Sequence, residues 1–431
     1  MVVTFTKETN FKVVEAGVFK LEIPEDWGVV RLGDVAKTFL GGGTPSTKNP
    51  EYWNGDIPWI RSVHINELVV DGSVVEQFIT KKGLENSTSN IIPKGNIIIA
   101  TRVGVGKVAV NLIDVAINQD LTGVILKKDK VDPFFLVWLL HLPKIAGFLE
   151  NTARGTTIKG ITQETLKNLK IPLPPLPEQQ KIAHVLMSID KAIEVVDEAI
   201  KQAERIKKGL MQELLTKGIG HKKFRVVEAD GFKLEIPEGW EVVRLRDVAE
   251  IRKNKVRNDF TEVAFIPMEL VPDSEIFAKY EVRNISDISS STYCEANDLL
   301  LAKITPSFEN GKQGIVPENI PNGFAFATTE VYPIVCKDIN NLFLFYLLKF
   351  QKFRKMLEFS MRGTTGRQRV PKKAVEDLRI PLPPLPEQQK IAEILSKWDE
   401  VIELKKAKKE RLERMKKKVM ELLLTGKVRV K

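Results

Sequence analysis

Two long stretches of the chain repeat apolar residues at alternating spacings of four and three. The first carries Ile182, Leu186, Ile189, Ile193, Val196, Ile200 and Ala203, and Leu210 with Leu214 continue the register to about Thr216. That spacing places the apolar side chains along one stripe of an α-helix, and its length predicts a coiled-coil seam. The second stretch carries Ile391, Leu395, Trp398 and Ile402, then Lys405 and Lys409 at seam positions, then Leu412, Val419 and Leu423. Both follow Leu-Pro-Glu-Gln-Gln. Pro177 with Glu178, and Pro386 with Glu387, put a proline and then a carboxylate in the first turn. There a missing N–H costs nothing and negative charge meets the helix dipole. Helices over 177–217 and 386–425 are therefore predicted, each about 60 Å long at 1.5 Å per residue.

The lead-in to each helix is rich in proline and should be extended and stiff. Before it lie the most apolar runs of the chain, residues 134–142 and 342–350, which are too short to span a bilayer. At 431 residues the chain is too long for one ordinary core, so at least two globular regions are expected. The reading that follows is 1–176 as a first domain, 177–217 as its helix, 218–385 as a second domain and 386–425 as the second helix.

These are two copies of one plan. Residues 11–36 (FKVVEAGVFKLEIPEDWGVVRLGDVA) match 224–249 (FRVVEADGFKLEIPEGWEVVRLRDVA) at 20 of 26 positions. Residues 169–183 (LKIPLPPLPEQQKIA) match 378–392 (LRIPLPPLPEQQKIA) at all but one. Smaller echoes include Arg154-Gly155-Thr156-Thr157 against Arg362-Gly363-Thr364-Thr365. Residues 38–149 and 251–357, by contrast, have almost nothing in common. A frame that is duplicated around inserts that are not implies the same packing and docking contacts in both copies, with the inserts touching different things. If a twofold axis relates the copies, the two helices lie antiparallel and the chain termini come close together.

Charge adds a partner class. With 66 Lys and Arg against 56 Asp and Glu, the net charge is +10 and the pI near 9.2, which favours a polyanion such as nucleic acid. Candidate chemistry is sparse. Gly104-Val105-Gly106-Lys107-Val108 fails the spacing and final hydroxyl of a nucleotide-binding loop. Asn49-Pro50-Glu51-Tyr52 and Asp132-Pro133-Phe134-Phe135 both miss the third residue of the motif with which adenine methyltransferases hold a flipped base. Pro272-Asp273 lacks the downstream Glu-X-Lys of a metal-dependent nuclease, and four histidines have no metal-ligand spacing. A basic chain without a catalytic set reads as a binder.

The duplicated PLPPLPEQQKIA, each copy heading a long helix behind a variable domain, resembles the specificity subunits of type I restriction-modification enzymes. So do Gly42-Gly43-Thr44-Pro45-Ser46-Thr47, Asn49-Pro50-Glu51-Tyr52-Trp53 and Ile57-Pro58-Trp59. The second insert departs from that pattern with Ile251-Arg252-Lys253-Asn254-Lys255. The resemblance implies an α+β fold: two globular target-recognition domains in tandem, each followed by a long helix, the helices packed as an antiparallel coiled coil with pseudo-twofold symmetry. It implies that each domain reads half of a split, asymmetric site in double-stranded DNA, while the helices set the spacing and bind two methyltransferase subunits. Restriction subunits complete such a complex. No cofactor is expected on this chain; S-adenosylmethionine, ATP and magnesium belong to the partners.

Positioning on DNA needs cations and backbone N–H groups at phosphates, and readout needs forked or amide side chains at base edges. In the first insert the candidates are Arg61, His64, Lys81, Lys82, Arg102, Lys107 and Arg154, with Thr156 and Thr157. In the second they are Arg252, Lys253, Lys255, Arg257, Lys303, Lys312, Arg362, Arg367 and Arg369, with Thr364 and Thr365. Trp59 reads as core rather than as a stacking platform.

Two other readings remain: a structural coiled-coil adaptor with two protein-binding heads, or an enzyme with an unrecognised site in the inserts. The first ten residues lack the apolar core of a signal peptide, and Cys294 and Cys336 suit free thiols. The expectation is therefore a cytoplasmic protein that does not enter the membrane.

Overall fold

The computed structural model describes residues 4–16, 19–65, 68–152, 160–229, 231–255, 260–364 and 366–430. Each apolar stripe forms one helix, Leu176–Lys217 and Leu385–Leu424, both beginning one residue before the predicted start. Each ends at a glycine in the left-handed region, Gly218 at φ 67° and Gly426 at φ 68°, the usual way to turn a chain off a helix without a Cβ penalty.

The chain forms two compact units, Met1–Val196 with Lys408–Lys431, and Asp197–Ala407. Each unit thus contains one globular region and a stretch of both long helices.

In the first unit the strands Phe11–Ala16 and Phe19–Pro24 form a hairpin. Alternation along it buries Leu21 and Ile23 and exposes Lys20 and Glu22. The proline-rich lead-in is itself a strand, Lys170–Leu173, paired among the described residues with Gly28–Arg31 alone, so its prolines cost no ladder bonds to a second neighbour there. The insert holds a five-stranded sheet in the order Ala36–Gly41, Leu121–Leu126, Ile97–Ala100, Val108–Asn111, Val69–Val70. A four-stranded sheet runs Gln77–Ile79, Trp53–Ile60, Val115–Ile117, Asn90–Ile92. The apolar helix Pro133–Leu140 buries Phe135 through Leu140. Each such side chain contributes roughly 1.5–3 kcal/mol. Its core also contains Ile182 and Leu186 with Leu423 and Leu424. Asp190 pairs with Lys416 further along, so residue order in the two helical stretches is opposed.

The second unit repeats this plan with different residues. Its insert has sheets in the order Ala249–Ile251, Val331–Cys336, Leu299–Ala302, Gln313–Ile315, and Glu281–Asn284, Glu262–Ile266, Phe324–Ala327, Thr292–Glu295. The pair Trp53–Ile60 with Val115–Ile117 is parallel, and so is Glu262–Ile266 with Phe324–Ala327. Two inserts with no recognisable sequence match therefore share the strand order of both sheets, except that the edge strand Val69–Val70 of the first is reduced in the second to a single bridge between Phe277 and Ile315. Lys207 pairs with Asp399, matching Lys416 and Asp190 at an offset of 209 residues.

Seam residues Ile182, Leu186, Val196, Ile200, Ile391, Leu395 and Ile402 are buried, whereas Ile189, Ile193 and Trp398 are half-buried. Lys405 and Lys409 are also half-buried. Among the described residues no single helix is long and apolar enough to cross a membrane.

Candidate nucleic-acid interface

The repeated Leu-Pro-Glu-Gln-Gln explains itself through packing. Gln179 donates to the Pro174 and Lys130 carbonyls at 2.8 and 3.1 Å and accepts from Asp132 N–H at 2.9 Å. Gln388 likewise donates to the Pro383 carbonyl and accepts from Asn340 N–H. Buried polar groups must find such partners. Glu178 accepts from Trp27 Nε1 and from Arg429, and Glu387 from Trp240 Nε1 and His221. The two copies of this frame thus hold their inserts by closely similar contacts, differing where Arg429 binds Glu178 and His221 binds Glu387.

In the first insert the chain leaving the strand Ala36–Gly41 crosses directly over the turn 118–120. A Cβ on Gly42 would stand 2.1 Å from the Asn118 carbonyl oxygen, and one on Gly43 2.1 Å from Thr88 Oγ1. Only glycine permits that approach. Gly43 N–H bonds the Ile117 carbonyl at 3.0 Å, and Trp59, buried as expected, donates Nε1 to the Gly43 carbonyl at 3.1 Å. Thr44 Oγ1 bonds Gln119 Oε1. Thr101 N–H then bonds the Asp120 carbonyl at 2.8 Å, and Ile161 N–H bonds the Thr101 carbonyl at 2.8 Å. Between these segments opens a polar cleft of about 480 Å³, walled by Thr101, Arg102, Gln119, Thr122 and Gln163.

The sequence candidates of this insert lie in different settings. Arg61 and Lys107 are exposed. Lys81 is exposed 3.7 Å from Glu85, and Lys82 bonds Glu51 at 2.7 Å. Arg102 is exposed and makes no side-chain hydrogen bond or ion pair among the described residues. His64 differs from a surface cation: only 6% of it is exposed, and its Nδ1 accepts from Arg61 N–H at 3.1 Å, which fixes a turn. Arg154, Thr156 and Thr157 lie outside the described residues.

In the second insert, two candidates are turned inward. Arg252 is clamped by Asp298 and Glu295, with Nη2 2.8 Å from Asp298 Oδ1 and Nη1 2.8 Å from Glu295 Oε2. The bond to Asp298 holds the guanidinium charged, and burial nevertheless pushes the Asp298 carboxyl upward. Lys312 spends its ammonium on the Met268 and Val271 carbonyls at 2.8 and 2.9 Å. Both are internal fasteners, which sequence alone cannot distinguish from surface cations. Lys253 is exposed, and Lys255 lies 3.3 Å from Glu295 and 5.3 Å from the Tyr293 ring centre. Arg257 and Thr365 lie outside the described residues.

The remaining candidates converge. Arg362 and Arg369 exchange main-chain hydrogen bonds, Thr305 N–H bonds the Gln368 carbonyl, and Val370 N–H bonds the Lys303 carbonyl at 2.8 Å. Exposed Arg362, Thr364, Arg367 and Arg369 thus share one place with Lys303. Lys303 lies 4.8 Å from the Tyr332 ring centre, its pKa lowered by burial. Arg369 grips Glu330 through two bonds of 3.0 and 2.7 Å, holding that carboxyl below its usual range.

The family model of the type I restriction modification DNA specificity domain matches this chain twice, over residues 24–205 and 237–414. The chain belongs to the type I restriction-modification specificity family. Among its relatives in that family, the type I restriction enzyme MjaVIII specificity subunit of Methanocaldococcus jannaschii is 31% identical over 440 residues, covering 100% of this chain and 99% of the relative. The EcoR124I/EcoR124II specificity subunit of Escherichia coli is 30% identical over 177 residues, covering 39% of this chain and 42% of the relative. Two solved structures share the family fold. One is a chain from work on complex assembly and conformational transition of the type I R-M system, with a TM-score of 0.56, 19% identity, and coverage of 93% of this chain and 98% of that one. The other is the type I restriction-modification S subunit from M. genitalium, with a TM-score of 0.54, 15% identity, and coverage of 92% and 96%.

Gln119, Gln163 and Thr44 were missed by sequence reasoning. None carries a charge, Gln119 and Gln163 lie in no motif and Thr44 only in the Gly42–Thr47 stretch, and the crossing of the glycine segment over residues 118–120 is what brings them to one cleft.

Proposed function

We propose that this chain is the DNA sequence-specificity subunit of a type I restriction-modification complex. Each unit reads one half of a bipartite, asymmetric site in double-stranded DNA. The two long helices form an antiparallel coiled coil related by a pseudo-twofold axis, set the gap between the half-sites and dock two methyltransferase subunits. Restriction subunits join the same complex. Catalysis belongs to those partners, which would carry S-adenosylmethionine, ATP and magnesium.

One observation carries this reading: a duplicated frame with closely similar packing surrounds two inserts of closely similar strand order and unrelated sequence. Such a design repeats a docking partner and varies what is read. The net charge of +10 supports a polyanionic target. The test is genome-wide detection of methylated adenine in a host expressing this chain with the methyltransferase subunit of its own system, against the host lacking this chain. A split motif with two different halves around a fixed gap is the expected result. Methylation that is absent from an assembled complex, or that is identical without this chain, overturns the reading and favours an adaptor with protein-binding heads.

A further inference from the structure

We infer that the polar cleft of the first unit is its base-reading site, with Arg102 and Gln119 as specificity-determining residues that contact base edges of one half-site. This rests on the function proposed above and deepens it.

The first ground is unspent hydrogen-bonding capacity. Lys82, Arg252, Lys255 and Arg369 all have carboxylate partners. Arg102 has none among the described residues, and neither does the side-chain amide of Gln163 or the amide nitrogen of Gln119. These groups face one cleft of about 480 Å³. A guanidinium matches the two acceptors of guanine, and a glutamine amide matches the donor and acceptor of adenine.

The second ground is preorganisation. Thr44 holds Gln119 Oε1, and Gly42 locks residues 118–120 beneath the crossing segment. A side chain already held in place loses less freedom on binding.

The third ground is the comparison between the inserts. Lys303 N–H bonds the Glu330 carbonyl at 3.0 Å and Val370 N–H bonds the Lys303 carbonyl at 2.8 Å. This is the main-chain lattice formed by Thr101, Asp120 and Ile161 in the first unit. Yet the turn Asn118-Gln119-Asp120 is replaced by Thr328-Thr329-Glu330, and the place opposite it is taken by Arg369 bound to Glu330. A backbone lattice kept while its side chains change is what two readers of different half-sites require.

The experiment expresses the full chain, or its Gln119→Ala, Arg102→Ala and Arg102→Lys variants, with the methyltransferase subunit of its system, checks assembly by co-purification, and maps methylated adenines. Each Ala variant should lose discrimination by roughly tenfold or more at one or two positions of one half-site. The other half and the gap should stay as in the unaltered complex. Arg102→Lys keeps the charge but loses the fork, so it should relax the same position as Arg102→Ala. If an Ala variant fails to assemble, Gln119→Glu and Arg102→Lys are read by the same criterion. A motif identical in all variants, even at lower overall methylation, describes phosphate contacts only and overturns the inference while leaving the proposed function intact. Absence of any split motif with the unaltered chain overturns the proposed function itself.

Discussion

Arg429 reaches across 251 positions of sequence to hold Glu178, with Nε 2.6 Å from Oε1 and Nη2 2.8 Å from Oε2. The same guanidinium bonds Asp26 twice, at 2.9 and 3.0 Å, and Glu8 at 2.9 Å. It sits on the strand Val428–Val430, which pairs with Phe5–Lys7, so one buried cation ties both ends of the chain to the start of the first long helix.

Replacing Arg429 with alanine should therefore leave Glu178 buried with Trp27 Nε1 as its one remaining side-chain donor among the described residues. Breaking a buried pair from one side costs about 3–5 kcal/mol. The expected result is early hydrogen exchange in Phe5–Lys7 and Val428–Val430 and a lower unfolding midpoint. In the second unit Glu387 bonds His221 at 2.9 Å but keeps Ile219 N–H and Trp240 Nε1 at 2.9 and 3.1 Å. His221→Ala should accordingly cost less. Equal destabilisation by the two variants would refute this account.

The helix ends make a second prediction. A Cβ on Gly426 would fall 2.4 Å from Pro24 Cδ, and one on Gly218 would fall 2.6 Å from Trp240 Cζ2. Both glycines have positive φ, where an L side chain adds about 1–2 kcal/mol before any clash. Gly426→Ala and Gly218→Ala should each lower the denaturation midpoint by more than that backbone term alone. Unchanged midpoints would mean that neither contact constrains the fold.

The two thiols should be inert in the folded chain. Cys294 is fully buried, and burial pushes its thiol well above the ordinary value. Burial likewise pushes the Cys336 thiol up to about 12. At pH 8 a thiol of pKa 12 has a thiolate fraction on the order of 10⁻⁴, against roughly a tenth for an ordinary thiol. Iodoacetamide at pH 8 should label neither until the protein is denatured, as read by intact mass. Because the folded state keeps protons that the unfolded state loses, this contribution to stability is complete below about pH 9 and is lost as pH rises towards 12. Stability should fall over that window.

The helices give a test of spacing that rests on the proposed function. Removing seven residues from each long helix shortens each by about 10 Å, equivalent to about three base pairs at 3.4 Å each. The gap of the methylated motif should shrink by that amount while both halves persist. An unchanged gap would remove the helices from the role of ruler.

Much of the frame was legible because it rests on local rules. The proline and carboxylate at positions 177–178 and 386–387 start a helix wherever they occur, and spacings of four and three make a stripe on any helix. The buried roles of Gln179 and Gln388 could be suspected from their repetition. Those of Arg252 and Lys312 could not, because a cation that fastens two carbonyls or two carboxylates has the same sequence signature as one in solvent. The burial of His64 was missed for a different reason: its Nδ1 accepts from Arg61 N–H in a turn whose packing depends on the rest of the fold.

The sequence by itself determined the duplication, the two long helices and the division into a constant frame with variable inserts, since each follows from repetition or short-range periodicity. Only the tertiary structure decided that the inserts share a closely similar strand order, that Arg429 reaches Glu178, and that Arg102 and Gln119 meet in a cleft. Strand pairing and buried ion pairs depend on contacts between residues far apart in the chain, and many sequences can satisfy the same sheet geometry.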